Sequence, residues 1–224
     1  MSILRSFSRC LKRFTQPAFS HYYCTNVPDS NADSEDVSVT QNRNGIVWID
    51  MEMSGLDVDK NRILEIACLI TDENLNVISD EFQAVLYQPD TELDTMNDWC
   101  QNNHGKTGLI DACKKSAETE DAVDINLLYF MMKYIPKGKC PLAGNSVYVD
   151  RLFLRKYMPV SNDYIHYRII DVSSIKEVVK RWKPEMYSNI PKKEFNHRAL
   201  DDIKESILEL KFYKDNVFNA STKG

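Results

Sequence analysis

The 224 residues carry 43% hydrophobic and 27% charged side chains and a formal net charge of −5, the balance of a globular chain rather than a disordered or fibrous one. Residues 1–28 hold four basic side chains, Arg5, Arg9, Lys12 and Arg13, and no acid, so the remainder sets 24 basic against 33 acidic residues, a balance of −9. Affinity for long nucleic acid comes from neutralised phosphates, so a body this acidic excludes a broad duplex-binding surface and leaves a short or locally held nucleic acid as the compatible partner.

The opening "MSILRSFSRCLKRFTQPAFSHYYCTN" is rich in Arg and Ser and has no apolar run long enough for a secretory core or a membrane span. It reads as a mitochondrial transit peptide over residues 1–28, the alternative being a basic tail. An acidic, polar linker follows over 29–42, and the folded domain is expected at 43–218, ahead of a short tail at 219–224. The six cysteines show no C-x-x-C pair, which favours free thiols over a disulfide framework or a zinc site.

"GIVWID" reads as a buried strand, and "RILEIACLIT" and "VISDEFQAVLY" as two more, separated by the polar turn "DENLN". Three successive strands imply an antiparallel start. Residues 118–134 place apolar side chains at helical intervals and stop before Pro136 and Gly138. "CPLAGNSVYVDRLFLRKYM" and "YRIIDVSSIKEVVKRW" each read as a strand turning into a helix, the second with Ser174 and Glu177 spaced as a capping box. The last helix, "HRALDDIKESILELKFY", turns Leu200, Ile203, Ile207 and Leu210 to one face. The pattern predicts a single α/β domain with a mixed sheet flanked by helices.

Asp50 and Glu52 stand two apart on the first strand, so both side chains leave the same face of the sheet. Two anions held that close persist if one is protonated, if each is paired, or if they share cations. A solvated strand end is the plain alternative. Asp150 falls in the first turn of the helix after "PLAGNS", and Asp202 in the final helix. Strand ends and adjoining helix starts are where α/β folds gather ligands, so the four carboxylates could meet in one cleft. Oxygen-only donors there would select magnesium or manganese. His197 could exchange a proton near neutral pH. On a regular helix its nearer neighbour is Asp201, not Asp202, so a ligand role for Asp202 requires His197 to precede the first regular turn, with Asn196 a candidate cap.

The blocks "WIDMEMSGLD", "DWCQNNHGKTGL", "PLAGNSVYVDRLFL", "HYRIIDVSSIKE" and "PKKEFNHRALDDI" together resemble the oligoribonucleases of the DEDDh exonuclease group, from about Ile46 to Phe218. The resemblance implies a ribonuclease H-like fold, a homodimer and two divalent cations, Mg²⁺ or Mn²⁺. It further implies 3′-to-5′ hydrolysis of very short RNA, dinucleotides with a 5′ phosphate above all, to nucleoside 5′-monophosphates. Asp50, Glu52, Asp150 and Asp202 match the metal ligands and His197 the general base. Leu56 resembles a wedge against the bases, Trp99 a stacking aromatic and His104 a further substrate-side histidine. Ser146, Tyr167, Arg168 and Ser173 resemble the cap on the 5′ phosphate. Read without the resemblance, Leu56 and Trp99 could be core, Ser146 and Ser173 helix caps, and Tyr167 and Arg168 a strand edge. Ser54 departs from the threonine common in that family.

Two rival functions fit the same blocks: a DNA exonuclease or proofreading module of the same chemistry, and a non-catalytic RNA-binding protein of the same fold. The leader implies a mitochondrial location, in the matrix or intermembrane space, with a cytosolic or nuclear form also compatible.

Overall fold

"IVWIDMEM" forms strand β1 (Ile46–Met53), whose apolar residues alternate between two buried faces before the strand ends in partly buried acids. The computed structural model describes residues 41–192 and 198–219. The predicted leader, most of the predicted linker, Asn196, His197 and the tail beyond Asn219 lie outside the described residues.

Among the described residues five strands form one sheet in the order β3-β2-β1-β4-β5, with β2 (Ile63–Thr71), β3 (Phe82–Val85), β4 (Pro141–Gly144) and β5 (His166–Asp171). The first three pair antiparallel, as the meander in the sequence predicts, while β4 and β5 join parallel to β1 and to each other. The sheet is therefore mixed. Three helices follow β3: α1 (Asp90–Leu93), α2 (Asp98–Lys106) and α3 (Leu109–Lys115). The predicted packing helix is α4 (Glu120–Tyr134), and α5 (Tyr148–Tyr157) and α6 (Pro159–Tyr164) connect β4 to β5. Beyond β5 come α7 (Val172–Trp182), α8 (Pro184–Tyr187) and α9 (Ala199–Tyr213), closed by a π-helical turn at Lys214–Phe218. No helix among the described residues is long and apolar enough to cross a membrane.

The strand period of two divides the core. Val47, Ile49 and Met51 face Leu127 and Phe130 of α4 and Phe153 and Leu154 of α5. Trp48 joins Ala67, Leu69 and Ala143 on the opposite side, against Val179 of α7 and Ile203, Ile207 and Leu210 of α9. The small side chains at Ala67 and Ala143 let α9 lie close on the sheet. Gly144 is a matching close approach, because a Cβ there would lie 2.9 Å from the Ile49 carbonyl oxygen.

Two local expectations need correction. The N-cap of α7 is Asp171, whose side chain accepts from the Ser173 amide at 3.0 Å, so Ser174 and Glu177 do not form the capping box. Asp171 wins because it ends β5 and can also accept from Ser174 Oγ at 3.1 Å. At α9 the N-cap position belongs to Arg198 rather than Asn196.

Candidate active site

The acids stand where β1 runs out. Asp50 lies opposite Ala67 and Glu52 opposite Glu65, and the register shifts between Glu52 and Met53. Such a bulge re-aims side chains and ends pairing. Across the sheet, α9 begins at Ala199, so Asp202 sits three residues into the helix and on the face of Ala199. Carboxylate oxygens of Asp50, Glu52 and Asp202 lie within 4.8 Å of one another. Asp201 is exposed and is not among the three clustered carboxylates. Helix α9 starts at Ala199, and His197, on which the sequence condition for Asp202 rests, lies outside the described residues.

Asp150 stands outside that close trio. It is buried in the first turn of α5 and its Oδ1 accepts the Met51 amide at 3.0 Å, which ties α5 to the strand between Asp50 and Glu52. Burial foremost, and then Glu52 and Asp171, push the Asp150 carboxyl up to about 8 against the pull of the amide bonds. Burial, with Asp202 and Glu65 adding repulsion, likewise raises Glu52 to about 7, while Arg198 opposes the rise. The fold thus concentrates carboxyls that resist ionising as they stand. An oxygen-only donor set of this kind fits a hard divalent cation, whose charge would reverse that resistance.

The remaining predicted residues fall around these acids. His104 is buried on α2, with Nε2 3.1 Å from the Met53 carbonyl oxygen and Nδ1 3.8 Å from Glu52 Oε2. Donation to that carbonyl places a proton on Nε2. His104 is therefore part of the wall behind Glu52. Leu56 and Trp99 are 77% and 59% exposed, which removes the core reading for both. The loop of Leu56 is braced: Ser54 Oγ donates to Glu92 at 2.7 Å and accepts the Arg62 amide at 2.9 Å. Tyr157 Oη lies 2.9 Å from the Val58 carbonyl oxygen and 2.8 Å from that of Asn61, and its one hydrogen can be donated to either.

Ser146 and Ser173 stand at no N-cap position, since Val147 and Asp171 hold those places. Their hydroxyls instead meet at 3.2 Å, beside Asn145 and Asp171. Ser146 has φ 52°, a left-handed conformation that costs a non-glycine residue about 1 kcal/mol and recurs at functional sites. Tyr167 and Arg168 lie exposed on β5, the sheet's edge strand, with the guanidinium 5.4 Å from the Tyr167 ring centroid. The strand-edge reading is thus compatible with the placement of both.

Sequence reasoning passed over two features. Glu65 is fully buried in β2 and paired with Arg198, and the clue was an acid within the apolar run "ILEIACLIT". The brace from Ser54 to Glu92 spans 38 residues and leaves no local signal.

The exonuclease family model RNase T matches residues 47–210. The mitochondrial oligoribonuclease of Bos taurus is 51% identical over 177 residues, covering 79% of this chain and 75% of the relative. The chain belongs to the oligoribonuclease family. The oligoribonuclease of Haemophilus influenzae is 48% identical over 174 residues, covering 78% of this chain and 95% of its own. As a member, the enzyme is a 3′-to-5′ exoribonuclease. Among solved structures, E. coli exonuclease I in complex with a dT13 oligonucleotide superposes with a TM-score of 0.61 at 19% identity, which speaks for the fold. That match covers 80% of this chain and 42% of the exonuclease I chain. The oligoribonuclease family fold, ribonuclease H-like, thus accounts for the mixed five-stranded sheet.

Proposed function

We propose that the enzyme hydrolyses very short RNAs from the 3′ end, preferring dinucleotides that carry a 5′ phosphate, and releases nucleoside 5′-monophosphates. The observation that carries the reading is the meeting of Asp50, Glu52 and Asp202 within 4.8 Å, with buried Asp150 beside them on Met51. These four would hold two divalent cations, magnesium or manganese, which when bound offset the negative charge of the phosphodiester under attack. His197 takes the proton of the attacking water. Its neighbour in sequence, Arg198, starts the helix that carries Asp202.

Leu56 and Trp99 hold the bases. An exposed indole accepts any base on its π-face, which suits mixed RNA fragments. Ser146 and Ser173 offer two adjacent hydroxyls to the 5′ phosphate, and Arg168 a planar fork of donors. Tyr167 and Arg168 reach that phosphate from the partner subunit of a two-fold homodimer, which their place on an exposed edge strand supports. Residues 1–28 serve as a mitochondrial leader. The Bos taurus relative is named mitochondrial, and the basic, acid-free composition agrees.

The test compares 5′-phosphorylated RNAs of two and twenty residues, and a two-residue DNA, with Mn²⁺. Fast release of mononucleotides from the two-residue RNA alone is the expected result. Equal rates on both RNA lengths would refute the dinucleotide preference, and faster turnover of DNA would favour a DNA exonuclease.

A further inference from the structure

We infer that Glu65 and Arg198 are positioning residues, a clamp that fixes the start of α9 so that Asp202 meets Asp50 and Glu52; the inference rests on the metal-ligand reading of Asp202.

Glu65 is an acid with no exposure near the start of β2, directly opposite Glu52. Cross-strand partners in an antiparallel pair project to the same face, so Glu65 looks toward α9 from beneath the cluster. Its carboxylate accepts Arg198 Nη2 at 2.6 Å and Nε at 3.1 and 3.2 Å, a forked pair that fixes direction as well as distance. Gln83 Nε2 from β3 donates to the same carboxylate at 2.7 Å. The Ala199 amide also approaches it, at 3.4 Å.

That last contact explains a gap at α9. The first amides of a helix lack partners within it and are usually met by a cap side chain, yet the Arg198 side chain makes no capping bond to its own helix. Glu65 supplies the acceptor from another strand. The Arg198 carbonyl in turn accepts the amides of Asp201 at 3.0 Å and Asp202 at 3.1 Å. One residue, held by Glu65, therefore sets the phase of the first helical turn. Ala199 and Asp202 share a face three residues apart, so the bond that seats the Ala199 amide over β2 also aims Asp202 at β1. A rotation of that turn would swing Asp202 away from Asp50 and Glu52, since each residue occupies about 100° of the helix circumference.

The test uses the full chain and the variants Arg198→Lys, Glu65→Gln, their double variant and Asp202→Asn. Mn²⁺ binding is measured by calorimetry without substrate, alongside kcat, KM and melting temperature. Lysine keeps the charge and loses the fork; glutamine keeps the shape and turns an amide toward donors. Partners that orient metal ligands are worth about 10- to 100-fold in metal affinity, so each single variant should weaken Mn²⁺ binding by about that factor. KM for the dinucleotide should barely move, and the double variant should bind no worse than the weaker single. Normal Mn²⁺ affinity in Arg198→Lys, with only a lower melting temperature, overturns the clamp, as does a double variant whose losses multiply. If Glu65→Gln does not fold, Arg198→Lys decides alone, because its side chain is 41% exposed and its replacement leaves the core intact. Unchanged Mn²⁺ binding in Asp202→Asn overturns the ligand reading and the clamp together. Weak binding in Asp202→Asn beside normal binding in Arg198→Lys removes the clamp alone.

Discussion

The Met51 amide donates to Asp150 Oδ1 at 3.0 Å, so a carboxylate from a helix is fixed to the strand that carries Asp50 and Glu52 on either side of Met51. Asp150 reaches the acids through the backbone, whereas Asp202 reaches them through the turn of a helix. The two attachments make different predictions.

Folded-state pKa values of about 8 for Asp150 and about 7 for Glu52 lie above their ordinary values of 3.8 and 4.5. A carboxyl raised by folding stabilises the fold below its unfolded pKa, and that contribution is lost as pH rises through the folded value. The metal-free protein should therefore lose melting temperature between about pH 5 and 8, with a shallower loss in Asp150→Asn. Excess Mn²⁺ should restore more at pH 8 than at pH 6, because the ligands must shed protons to bind it. Melting curves at several pH values, with metal and with chelator, check this; a metal increment independent of pH would contradict it.

Asp202→Asn should lower kcat by about 10²-fold or more, the rate equivalent of losing roughly 3 kcal/mol of charge stabilisation. Asp201→Asn should be mild, since Asp201 is exposed and stands outside the trio of Asp50, Glu52 and Asp202. Both variants should melt near the parent temperature. The reverse order of effects in steady-state kinetics would assign the ligand to Asp201.

Much of this was legible in the sequence and some of it could not be. The runs from Ile46 and Ile63 gave strands because a buried strand is apolar along its length, and the period of two put Asp50 and Glu52 on one face. Helix α2 escaped because "DWCQNNHGK" buries only Cys100 and His104, too few residues for a helical stripe, and the seven-residue α3 buries only Leu109 and Cys113. The capping of α7 by Asp171 was ambiguous, since Asp171, Ser173 and Ser174 are all good caps and only the end of β5 chooses among them. The support of α9 was out of reach, because Glu65 and Arg198 are 133 residues apart.

Trp99→Ala should weaken dinucleotide binding by about 1–3 kcal/mol, the range for losing one stacked base. At 59% exposure the ring contributes little to the core, so melting should hold steady. Leu56→Ala should act in the same direction with a smaller effect. Binding is best read by titration with a non-hydrolysable dinucleotide and Ca²⁺; unchanged affinity in Trp99→Ala would remove the stacking role.

If Tyr167 and Arg168 complete the partner's phosphate cap, two defective chains should rescue each other. In a dimer of one Asp50→Asn chain and one Arg168→Ala chain, one site carries both defects and the other neither. Coexpressed and purified mixed dimers should regain up to about half the parental activity, by two-fold symmetry. Mixed dimers as inactive as either homodimer would place the cap within a single chain.

The most direct test of the account is the release of mononucleotides from a 5′-phosphorylated two-residue RNA at saturating Mn²⁺, parent against Asp50→Asn, each repeated after chelation and metal restoration. Asp50 lies in the cluster with Glu52 and Asp202, so the parent should lose turnover on chelation and regain it with Mn²⁺, while Asp50→Asn stays at least about 10²-fold slower throughout. Parental turnover that survives chelation, or an Asp50→Asn enzyme that matches the parent in excess metal, would contradict it.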